Sequence, residues 1–326
     1  MGFSRIPVSG AEWNGNRKVI NFLTEKKVLV TGGTGSFGQS FVAEALKQNP
    51  QEIKVFSRSE QRQSEMKSRF NDSRLKFLIG DIRDINRVHE ATRNVDIVVH
   101  AAALKRIPEG EEVPEEFVKT NILGSLNLMH SCIENKVMVA FAISTDKAAH
   151  PTNLYGATKM VMEKAWLSAN GILTRFSCSR YGNVIDSNGG VLATFKRQAK
   201  EGVPLTVTDK AMTRFWLTVE SGVNFVISCL ERMNGGEIFI PKGLPSVLIE
   251  DIAKAVCPKG SILYTGIRPG EKLAEQLFSE DEARHTVEEG GFYMMMPEGS
   301  VTSTLKSFTS TTNPYFLNQE QIRAFL

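Results

Sequence analysis

Chemically active side chains are concentrated in one stretch, Ser144 to Lys159, which reads S-T-D-K-A-A-H-P-T-N-L-Y-G-A-T-K. Tyr155 and Lys159 are four residues apart, so on a helix they share one face. An ammonium group beside a phenol lowers the pKa of the phenol from about 10, which suits a base in hydride-transfer chemistry. We therefore predict an oxidoreductase-type pair, with Thr145 sharing a hydrogen bond with Tyr155 and a substrate hydroxyl.

These residues need a strand end and a helix start to position them, and the flanking apolar pattern provides both. Short apolar runs alternate with polar, helix-compatible stretches, which predicts parallel strands joined by right-handed crossovers. The predicted strands are Lys27–Val30, Ile53–Phe56, Leu75–Ile79, Ile97–His100, Val137–Ser144 and Thr174–Tyr181. The expected fold class is α/β, a Rossmann-type doubly wound parallel sheet with a smaller C-terminal substrate-binding lobe.

A glycine-rich loop, T-G-G-T-G-S-F-G, lies between the first predicted strand and a predicted helix. Glycine permits a tight turn and the close approach of a pyrophosphate, and the N–H groups of the helix N-terminus attract a dianion. The predicted dinucleotide-binding residues of this loop are Gly32, Thr34, Gly35, Ser36, Phe37 and Gly38.

The residues after the second strand select the form of the dinucleotide. Sites for NAD usually carry an acid here, whereas this chain reads S-R-S-E-Q-R from Ser57 to Arg62. Arginines and a serine suit a 2′-phosphate, so Ser57, Arg58 and Arg62 favour NADP. The two arginines could instead solvate a helix start, and Glu60 leaves room for NAD.

Two more strand ends face the same predicted site. Asp81, with Ile82 beside it, follows the third strand, where an aspartate accepts from an adenine amino group or serves equally well as a helix N-cap. Ala101, Ala102 and Lys105 follow the fourth strand. Small residues at this position let a nicotinamide ribose lie against the backbone, or simply pack.

Five motifs together indicate a family: T-G-G-T-G-S-F-G, G-D-I-R-D, A-A-A-L-K, S-T-D-K-A and Y-G-A-T-K. From about Lys26 onward the chain resembles the extended short-chain dehydrogenase/reductases. Within them it is most similar to the inverting UDP-N-acetylglucosamine 4,6-dehydratases of the pseudaminic acid pathway, and S-T-D-K-A is the discriminating motif. Similar retaining dehydratases have an Asp–Glu pair where this chain has Asp146 and Lys147.

The resemblance implies a lyase that recycles a tightly bound NADP. Tyr155, with Lys159, would take the 4-hydroxyl proton as a hydride leaves C4. Lys147 would then remove the C5 proton while Asp146 protonates the departing 6-hydroxyl. Finally the hydride would return to C6, and C5 would be protonated from the opposite face.

This assignment requires a neutral Lys147 and a protonated Asp146. At pH 7 these states cost roughly 4.6 and roughly 4 kcal/mol for groups with ordinary pKa values. We expect burial, together with the nearby positive charges of Lys159 and the nicotinamide, to favour the neutral lysine. The alternative is that Asp146 and Lys147 form a simple surface ion pair.

The same resemblance implies substrate contacts, mainly in the C-terminal half. Arg214 and Arg268 would hold a diphosphate, Glu271 the ribose hydroxyls, and the backbone of residues 204–208 a uracil. The implied substrate-binding residues are Lys105, Asn183, Val191, Thr206, Thr208, Arg214, Arg268 and Glu271. Each arginine alone would suit a surface charge equally well, and Asp186 departs from the loop that relatives carry there.

The domain prediction follows these motifs. Residues 1–25 would be an N-terminal extension and 26–185 the NADP-binding Rossmann domain, to which some later segments return. Residues 186–326 would be mainly the UDP-sugar lobe and a C-terminal tail. We expect the segment 268–272 to be a loop that opens a helix.

Composition argues against several other classes of protein. With 41% hydrophobic and 23% charged residues and a net charge of +3, the chain has an ordinary globular composition without a nucleic-acid signature. It contains no apolar run of the ~20 residues that span a membrane. Its five histidines and four cysteines lack the spacing of a metal site. We expect a cytoplasmic homo-oligomer, dimer or hexamer, that binds UDP-N-acetylglucosamine but no metal, membrane or nucleic acid.

Two alternatives remain open at this stage. A UDP-sugar epimerase or a retaining 4,6-dehydratase would use the same cofactor site and the same tyrosine. A catalytically silent NADP-binding sensor would keep the fold but would have no need of Tyr155, Lys159 or Arg268.

Overall fold

The computed structural model describes residues 21–185, 190–297, 299 and 301–326. The strands of this part of the chain are β1 (Lys27–Thr31), β2 (Glu52–Ser57), β3 (Leu75–Ile79), β4 (Ile97–His100), β5 (Val139–Ile143), β6 (Arg175–Ser179), β7 (Asn183–Val184), β8 (Leu205–Val207), β9 (Thr213–Leu217), β10 (Ile238–Pro241), β11 (Ser246–Leu248), β12 (Ile262–Tyr264), β13 (Gln276–Phe278), β14 (Thr286–Glu289), β15 (Phe292–Met295) and β16 (Phe308–Thr309). The α-helices are α1 (Ser36–Leu46), α2 (Glu60–Phe70), α3 (Ile85–Thr92), α4 (Ile107–Glu112), α5 (Pro114–Phe117), α6 (Gly124–Glu134), α7 (Leu154–Ser168), α8 (Val191–Glu201), α9 (Val219–Arg232), α10 (Ile249–Val256), α11 (Glu280–Ala283) and α12 (Gln319–Arg323). A π-helix (Val118–Leu123) joins α5 to α6, and a 3₁₀-helix (Asp146–Ala148) follows β5.

A nine-stranded sheet with the order β14-β15-β10-β6-β5-β4-β1-β2-β3 forms the centre of the described chain. Seven neighbouring strands of this sheet are parallel, in the order β10-β6-β5-β4-β1-β2-β3. At the β10 edge, β15 pairs antiparallel with β10, and β14 pairs antiparallel with β15. Short apolar strands such as β1 and β4 are buried because helices cover both faces of a parallel sheet. The predicted Rossmann-type fold is confirmed, and the strand order reverses between β1 and β4, where such sheets bind their ligands.

All six predicted strands are present, with β5 and β6 shorter than expected. The prediction of a helix after residues 268–272 is wrong. Gly270 adopts a left-handed φ of +79° in a turn. The chain then forms strand β13, which pairs with β16, instead of a helix.

A second, smaller hydrophobic core lies under β8, β9, β11 and helices α8, α10 and α12, around Phe195, Trp216 and Ile252. The C-terminal segment closes against this lobe, because Ile322 is fully buried in it and Phe325 packs edge-on against Trp216. The chain also returns to the large sheet through β10, β14 and β15.

Parts of the predicted domain division lie outside the described residues. These are residues 1–20 of the expected N-terminal extension and residues 186–189, including Asp186, beside the expected boundary at 185. Among the helices that are described, none combines the length and the apolar character required to cross a membrane.

Candidate active site

The loop between β1 and α1 is closed so tightly that two of its glycines have no room for a side chain. Gly32 has a φ of +66°, and a Cβ there would lie 2.8 Å from the amide nitrogen of Ala102. A Cβ on Gly38 would lie 2.6 Å from the carbonyl oxygen of Gly32. Gly35 is the N-cap of α1 and brings no side-chain cap, so the first turn of the helix is open to an anion. This cradle fits the pyrophosphate of a dinucleotide.

The other predicted residues of this loop support its shape. The carbonyl oxygen of Thr34 accepts a hydrogen bond from Nε2 of Gln39 at 2.7 Å. Ser36 begins α1, and the ring of Phe37 stacks on Phe41 with centroids 6.0 Å apart. The hydrogen bond ties the loop to the first turns of α1, and the ring contact lies within the helix.

The predicted ribose edge lies at the end of β2 and the start of α2. Arg58 and Arg62 are both exposed, and Ser59 is the N-cap of α2 through a 3.3 Å hydrogen bond from the amide of Arg62. The hydroxyl of Ser57 accepts a hydrogen bond from Nε2 of Gln63 at 3.0 Å. Two guanidinium groups are therefore available to solvent at the edge where a 2′-phosphate is expected.

Asp81 does not cap a helix. The N-cap of α3 is Asp84, which accepts from the amides of Asn86 and Arg87. Oδ1 of Asp81 accepts instead from the backbone amide of Arg83 at 3.0 Å, and Oδ2 accepts from the Arg83 guanidinium, at 2.6 Å for the closest pair. This leaves adenine recognition as the interpretation of Asp81 that is still open, with Ile82 buried beside it.

The loop after β4 is held by a residue that sequence reasoning missed. Asn121, in the π-helix, accepts from the amide of Leu104 at 2.8 Å and donates to its carbonyl at 2.9 Å. Asn121 also donates to the hydroxyl of Thr158 on α7 at 3.0 Å. Lys105 follows in this loop with its side chain exposed. The loop that carries Ala101, Ala102 and Lys105 is thus tied to the helix of Tyr155.

The predicted acid–base pair lies at the carboxyl end of β5. Nζ of Lys147 donates to Oδ1 of Asp146 at 3.0 Å, and the hydroxyl of Thr145 donates to the same oxygen at 2.9 Å. Asp146 is fully buried, and the Lys147 side chain is 12% exposed. The alternative of a solvated surface ion pair is therefore wrong for these two residues.

Tyr155 and Lys159 lie on α7, which packs directly against the 3₁₀-helix. Asn153 is the N-cap of α7, accepting from the amide of Gly156 at 2.8 Å. Gly156 has no space for a side chain, since a Cβ there would overlap the carbonyl oxygen of Lys147. One glycine therefore allows the tyrosine helix and the Asp–Lys segment to come into contact.

The titration of Tyr155 differs from the sequence-based prediction. Burial raises the pKa of Tyr155 to about 12, although the Lys147 ammonium and the Thr145 hydroxyl act in the opposite direction. The expected lowering is wrong for the protein by itself, because burial outweighs the nearby positive charge. Burial also lowers the pKa of Lys159 to about 8, and the Glu163 carboxylate opposes this shift.

Lys147 has a second carboxylate partner that lies far along the chain. Its Nζ is 3.3 Å from Oε1 of Glu275, whose side chain is 3% exposed. The same oxygen lies 3.6 Å from Nε of Arg214. A buried charge chain of Asp146, Lys147, Glu275 and Arg214 therefore connects the predicted acid–base pair to a predicted phosphate-binding arginine.

The carboxyl groups of the buried charge chain differ in their proton affinity. Burial raises the pKa of Asp146, and the Glu275 carboxylate adds to the effect, while Lys147 opposes it. Burial alone would raise the pKa of Glu275 too, but Lys147 and Arg214 hold it below its ordinary value. Asp146 is thus the carboxyl group that is favoured to carry a proton.

Lys147 is held as an ammonium ion in this arrangement. Burial acts to lower its pKa, but the carboxylates of Asp146 and Glu275 outweigh burial and raise it. Burial of the lysine therefore does not by itself provide a neutral base, and the expected contribution of the nicotinamide charge stays a prediction. Oδ2 of Asp146 and Oε2 of Glu275 are both buried and have no hydrogen-bond partner in the part of the chain that the structure describes.

The predicted R-P-G-E-K segment is attached to the start of the tyrosine helix. The carbonyl oxygen of Gly270 accepts from Nδ2 of Asn153 at 2.8 Å, and Nζ of Lys272 donates to the carbonyl of Ala149 at 3.0 Å. Arg268 lies exposed in this turn, and the amide of Glu271 donates to its carbonyl at 3.1 Å. The turn brings Arg268 and Glu271 to the rim of the site.

The remaining predicted substrate residues lie on the smaller lobe. Asn183, on β7, accepts from Nζ of Lys147 at 3.3 Å, and Val191 begins α8. The amide of Thr206 donates to Oε1 of Gln198 at 3.2 Å, and the Gln198 amide donates back to the threonine hydroxyl at 2.9 Å. The strand edge expected to face uracil is therefore covered by a side-chain amide at Thr206, next to the buried Thr208.

A second buried ion network supports α7 from behind. Arg180 is 1% exposed and is bound by Glu163 at 2.6 Å and by Glu282 at 2.9 Å. Sequence reasoning missed this network, as it missed Asn121 and Glu275. Glu275 carried only a weak sequence signal, since it lies three residues beyond the predicted R-P-G-E-K segment.

The fold and the site agree with the comparisons. The family model described as polysaccharide biosynthesis protein matches residues 28–297, which is most of the chain. The chain belongs to this family, a group of extended short-chain dehydrogenase/reductases.

Particular relatives cover nearly the same length. A protein of Campylobacter jejuni subsp. jejuni serotype O:2, named UDP-N-acetylglucosamine 4,6-dehydratase (inverting), is 47% identical over 84% of this chain and 83% of its own. A protein of Rickettsia prowazekii, named UDP-glucose 4-epimerase, is 38% identical over 88% and 87%. The X-ray structure of Pen from Bacillus thuringiensis superposes with a TM-score of 0.87 at 34% identity, covering 93% of this chain and 98% of that one.

Proposed function

We propose that this protein is an inverting UDP-N-acetylglucosamine 4,6-dehydratase, a carbon–oxygen lyase. The observation that carries the proposal is the buried Asp146–Lys147 pair beside Tyr155, where a retaining enzyme would have two carboxylates. The family and the C. jejuni relative named as an inverting dehydratase support it. The product would be UDP-2-acetamido-2,6-dideoxy-4-keto-L-arabino-hexose.

Tyr155 is the proposed base for the 4-hydroxyl proton of the sugar. A phenol with a pKa of about 12 ionises little at neutral pH, so its anion needs stabilisation as it forms. Lys159 supplies positive charge for this purpose, and Thr145 supplies a hydrogen bond.

Asp146 and Lys147 are the proposed acid and base of the elimination. Moving one proton along their 3.0 Å hydrogen bond, from Nζ to Oδ1, would leave a neutral amine and a carboxylic acid. Both groups would then be in the required state without exchange with solvent. Substrate that covers the site would exclude water and favour this neutral pair over the ion pair. Asp146 then protonates the departing 6-hydroxyl while Lys147 takes the C5 proton.

The cofactor assigned to the β1–α1 cradle is NADP. Gly32 and Gly38 leave room for the pyrophosphate, and Arg58 and Arg62 are exposed where a 2′-phosphate would lie. When bound, the dinucleotide accepts a hydride and later returns it, so no net redox change remains. Mass spectrometry of the nucleotide released by denaturing the purified protein should show NADP, and NAD would contradict this assignment.

The proposed substrate groups lie toward the smaller lobe. Arg214 and Arg268 would bind the diphosphate and Glu271 the ribose. Thr206 and Thr208 would meet the uracil once the Gln198 side chain has moved away from the amide of Thr206. Lys105, Asn183 and Val191 complete the proposed contacts. A homo-oligomeric state, a cytoplasmic location and a role in pseudaminic acid synthesis remain predictions from the resemblance.

One NMR experiment separates this function from its rivals. Purified protein incubated with UDP-N-acetylglucosamine in D₂O should give a 4-keto-6-deoxy sugar with inverted, deuterated C5. A retaining dehydratase would leave the C5 configuration unchanged, and an epimerase would keep the 6-hydroxyl. Unchanged substrate would favour the sensor.

The variant Lys147→Arg tests the base directly. It keeps a positive charge but has no accessible neutral form, so we expect deuterium incorporation at C5 to fall by about 100-fold or more. Lys242→Arg, at an exposed ion pair with Glu288, is the matched control and should behave like wild type. Incorporation at the wild-type rate in Lys147→Arg would mean that Lys147 is not the base.

A further inference from the structure

We infer that Glu275 is a positioning residue that holds Lys147 in place and sets how many protons the Asp146–Lys147 pair carries. The catalytic role of that pair rests on the proposed dehydration. The contact between Glu275 and Lys147 is independent of that proposal, because it is a feature of the folded protein.

Three acceptors surround the lysine ammonium. Nζ of Lys147 lies 3.0 Å from Oδ1 of Asp146, 3.3 Å from Oδ1 of Asn183 and 3.3 Å from Oε1 of Glu275. An ammonium has three N–H donors and a neutral amine has only two. Loss of a proton therefore leaves one of these three contacts without an N–H donor and turns the nitrogen lone pair toward it. If the proton moves to Oδ1 of Asp146, that contact becomes an O–H···N hydrogen bond.

Glu275 is fixed by backbone hydrogen bonds at the start of β13. Its amide donates to Oγ of Ser310 at 2.9 Å, and the amide of Ser310 donates to the carbonyl of Glu275 at 2.8 Å. The Ser310 hydroxyl is in turn 2.8 Å from Oγ1 of Thr213, beside Arg214. The carboxylate thus reaches Lys147 from a backbone that Ser310 and, through it, Thr213 hold in place.

The negative charge of Glu275 acts on both members of the pair. It raises the pKa of Asp146 and that of Lys147. The titratable or charged groups that face Lys147 or its partners are Asp146, Tyr155, Arg214, Lys272 and Glu275. Because the pair is coupled, it titrates with two apparent pKa values, and removing the Glu275 charge must lower both.

The test is the pH profile of C5 deuterium incorporation. The reactive form has a protonated Asp146 and a neutral Lys147, so we expect the rate to follow a bell-shaped pH profile. In Glu275→Gln we expect both limbs to move to lower pH by about one unit or more, with a lower maximum because the lysine is less well held. Glu275→Asp keeps the charge and should keep the wild-type limbs, also with a lower maximum.

A structural control separates charge from folding. Glu282→Gln removes a carboxylate from the buried ion pair with Arg180, and we expect a loss of stability without a shift of the profile. If Glu275→Gln had the wild-type limbs, the inference would be wrong.

A second readout does not need catalysis. NMR titration of isotopically labelled lysine side chains, with the Lys147 signal assigned through Lys147→Arg, should show a lower pKa for Lys147 in Glu275→Gln. An unchanged pKa would overturn the inference. If the wild-type protein failed to dehydrate the sugar but Glu275→Gln still lowered the pKa of Lys147, only the proposed function would be overturned.

Discussion

Lys159 is a buried cation whose burial opposes folding. It is 3% exposed, and burial lowers its pKa from 10.5 to about 8, against the Glu163 carboxylate. Between these values the unfolded chain binds the proton and the folded chain does not, so stability rises with pH across this window. Below pH 8 the free-energy cost of burying the Lys159 ammonium is fully present and amounts to about 3 kcal/mol.

The variant Lys159→Met should therefore be inactive but more stable than wild type at pH 7, by up to about 3 kcal/mol. The advantage should shrink between pH 8 and 10, because wild type gains stability there. Urea unfolding at pH 7 and pH 9.5 measures both effects. Lys164→Met, at an exposed site on the same helix, is the control, and an equal gain in both variants would contradict the explanation.

At the scale of single residues, the sequence predicts which residues form the site better than it predicts their protonation states. Spacing and motif placed Tyr155, Lys159, Asp146 and Lys147 at one site. The structure brings Tyr155 to the Asp146–Lys147 pair, and Lys159 lies one turn further along α7. The direction of the Tyr155 shift was wrong because it depends on burial, which the spacing of two residues does not contain. The state of Lys147 depends on Glu275, which lies 128 residues further along the chain and contacts it only in the folded protein.

At the scale of elements, the contact between the 3₁₀-helix and α7 depends on one glycine. Gly156→Ala would place a Cβ against the carbonyl oxygen of Lys147 and force the two segments apart. We expect a destabilisation of about 1–3 kcal/mol and a loss of activity larger than the loss of stability explains. Thermal unfolding and the D₂O assay measure these effects.

The matched control is Gly222→Ala, at a helical glycine of α9. A Cβ there would meet only Leu217 Cδ1, at 3.5 Å, among the described residues. Since alanine favours a helix by about 1 kcal/mol over glycine, this variant should be neutral or slightly stabilising. Similar behaviour of the two variants would mean that the contact at Gly156 is unimportant.

The elements that the sequence failed to predict have a common cause. The π-helix at Val118–Leu123 lies in a stretch with an ordinary helical pattern, and the hydrogen bonds of Asn121 to the Leu104 loop become visible only in three dimensions. The segment after Gly270 has a helix-like composition but becomes β13 because β16 is available as a partner. Local patterns predicted the long periodic elements, whereas pairing between distant segments decided these two.

At the scale of the whole molecule, Asn153 connects the two lobes. Its Oδ1 caps α7 by accepting from the amide of Gly156, and its Nδ2 donates to the carbonyl of Gly270 in the turn that carries Arg268 and Glu271. Asn153→Ala removes both bonds, so we expect a loss of about 1–2 kcal/mol and a higher KM for the UDP-sugar.

Asn153→Asp separates the two roles. Aspartate caps a helix as well as asparagine does but cannot donate to Gly270, so stability should stay near wild type while KM rises. Urea unfolding and steady-state kinetics provide the comparison. A wild-type KM in Asn153→Asp would show that the turn with Arg268 and Glu271 is positioned by other contacts.

The path of the chain through the large sheet has a consequence for its synthesis on the ribosome. β6 is complete long before β10, its neighbour, has been translated, and β15 and β14 emerge later still. At about 5–20 residues per second, the newly made half exposes an unpaired strand edge for several seconds. Such an edge can pair with another chain, so the nascent protein should be most prone to aggregation, and most dependent on chaperones, in this interval.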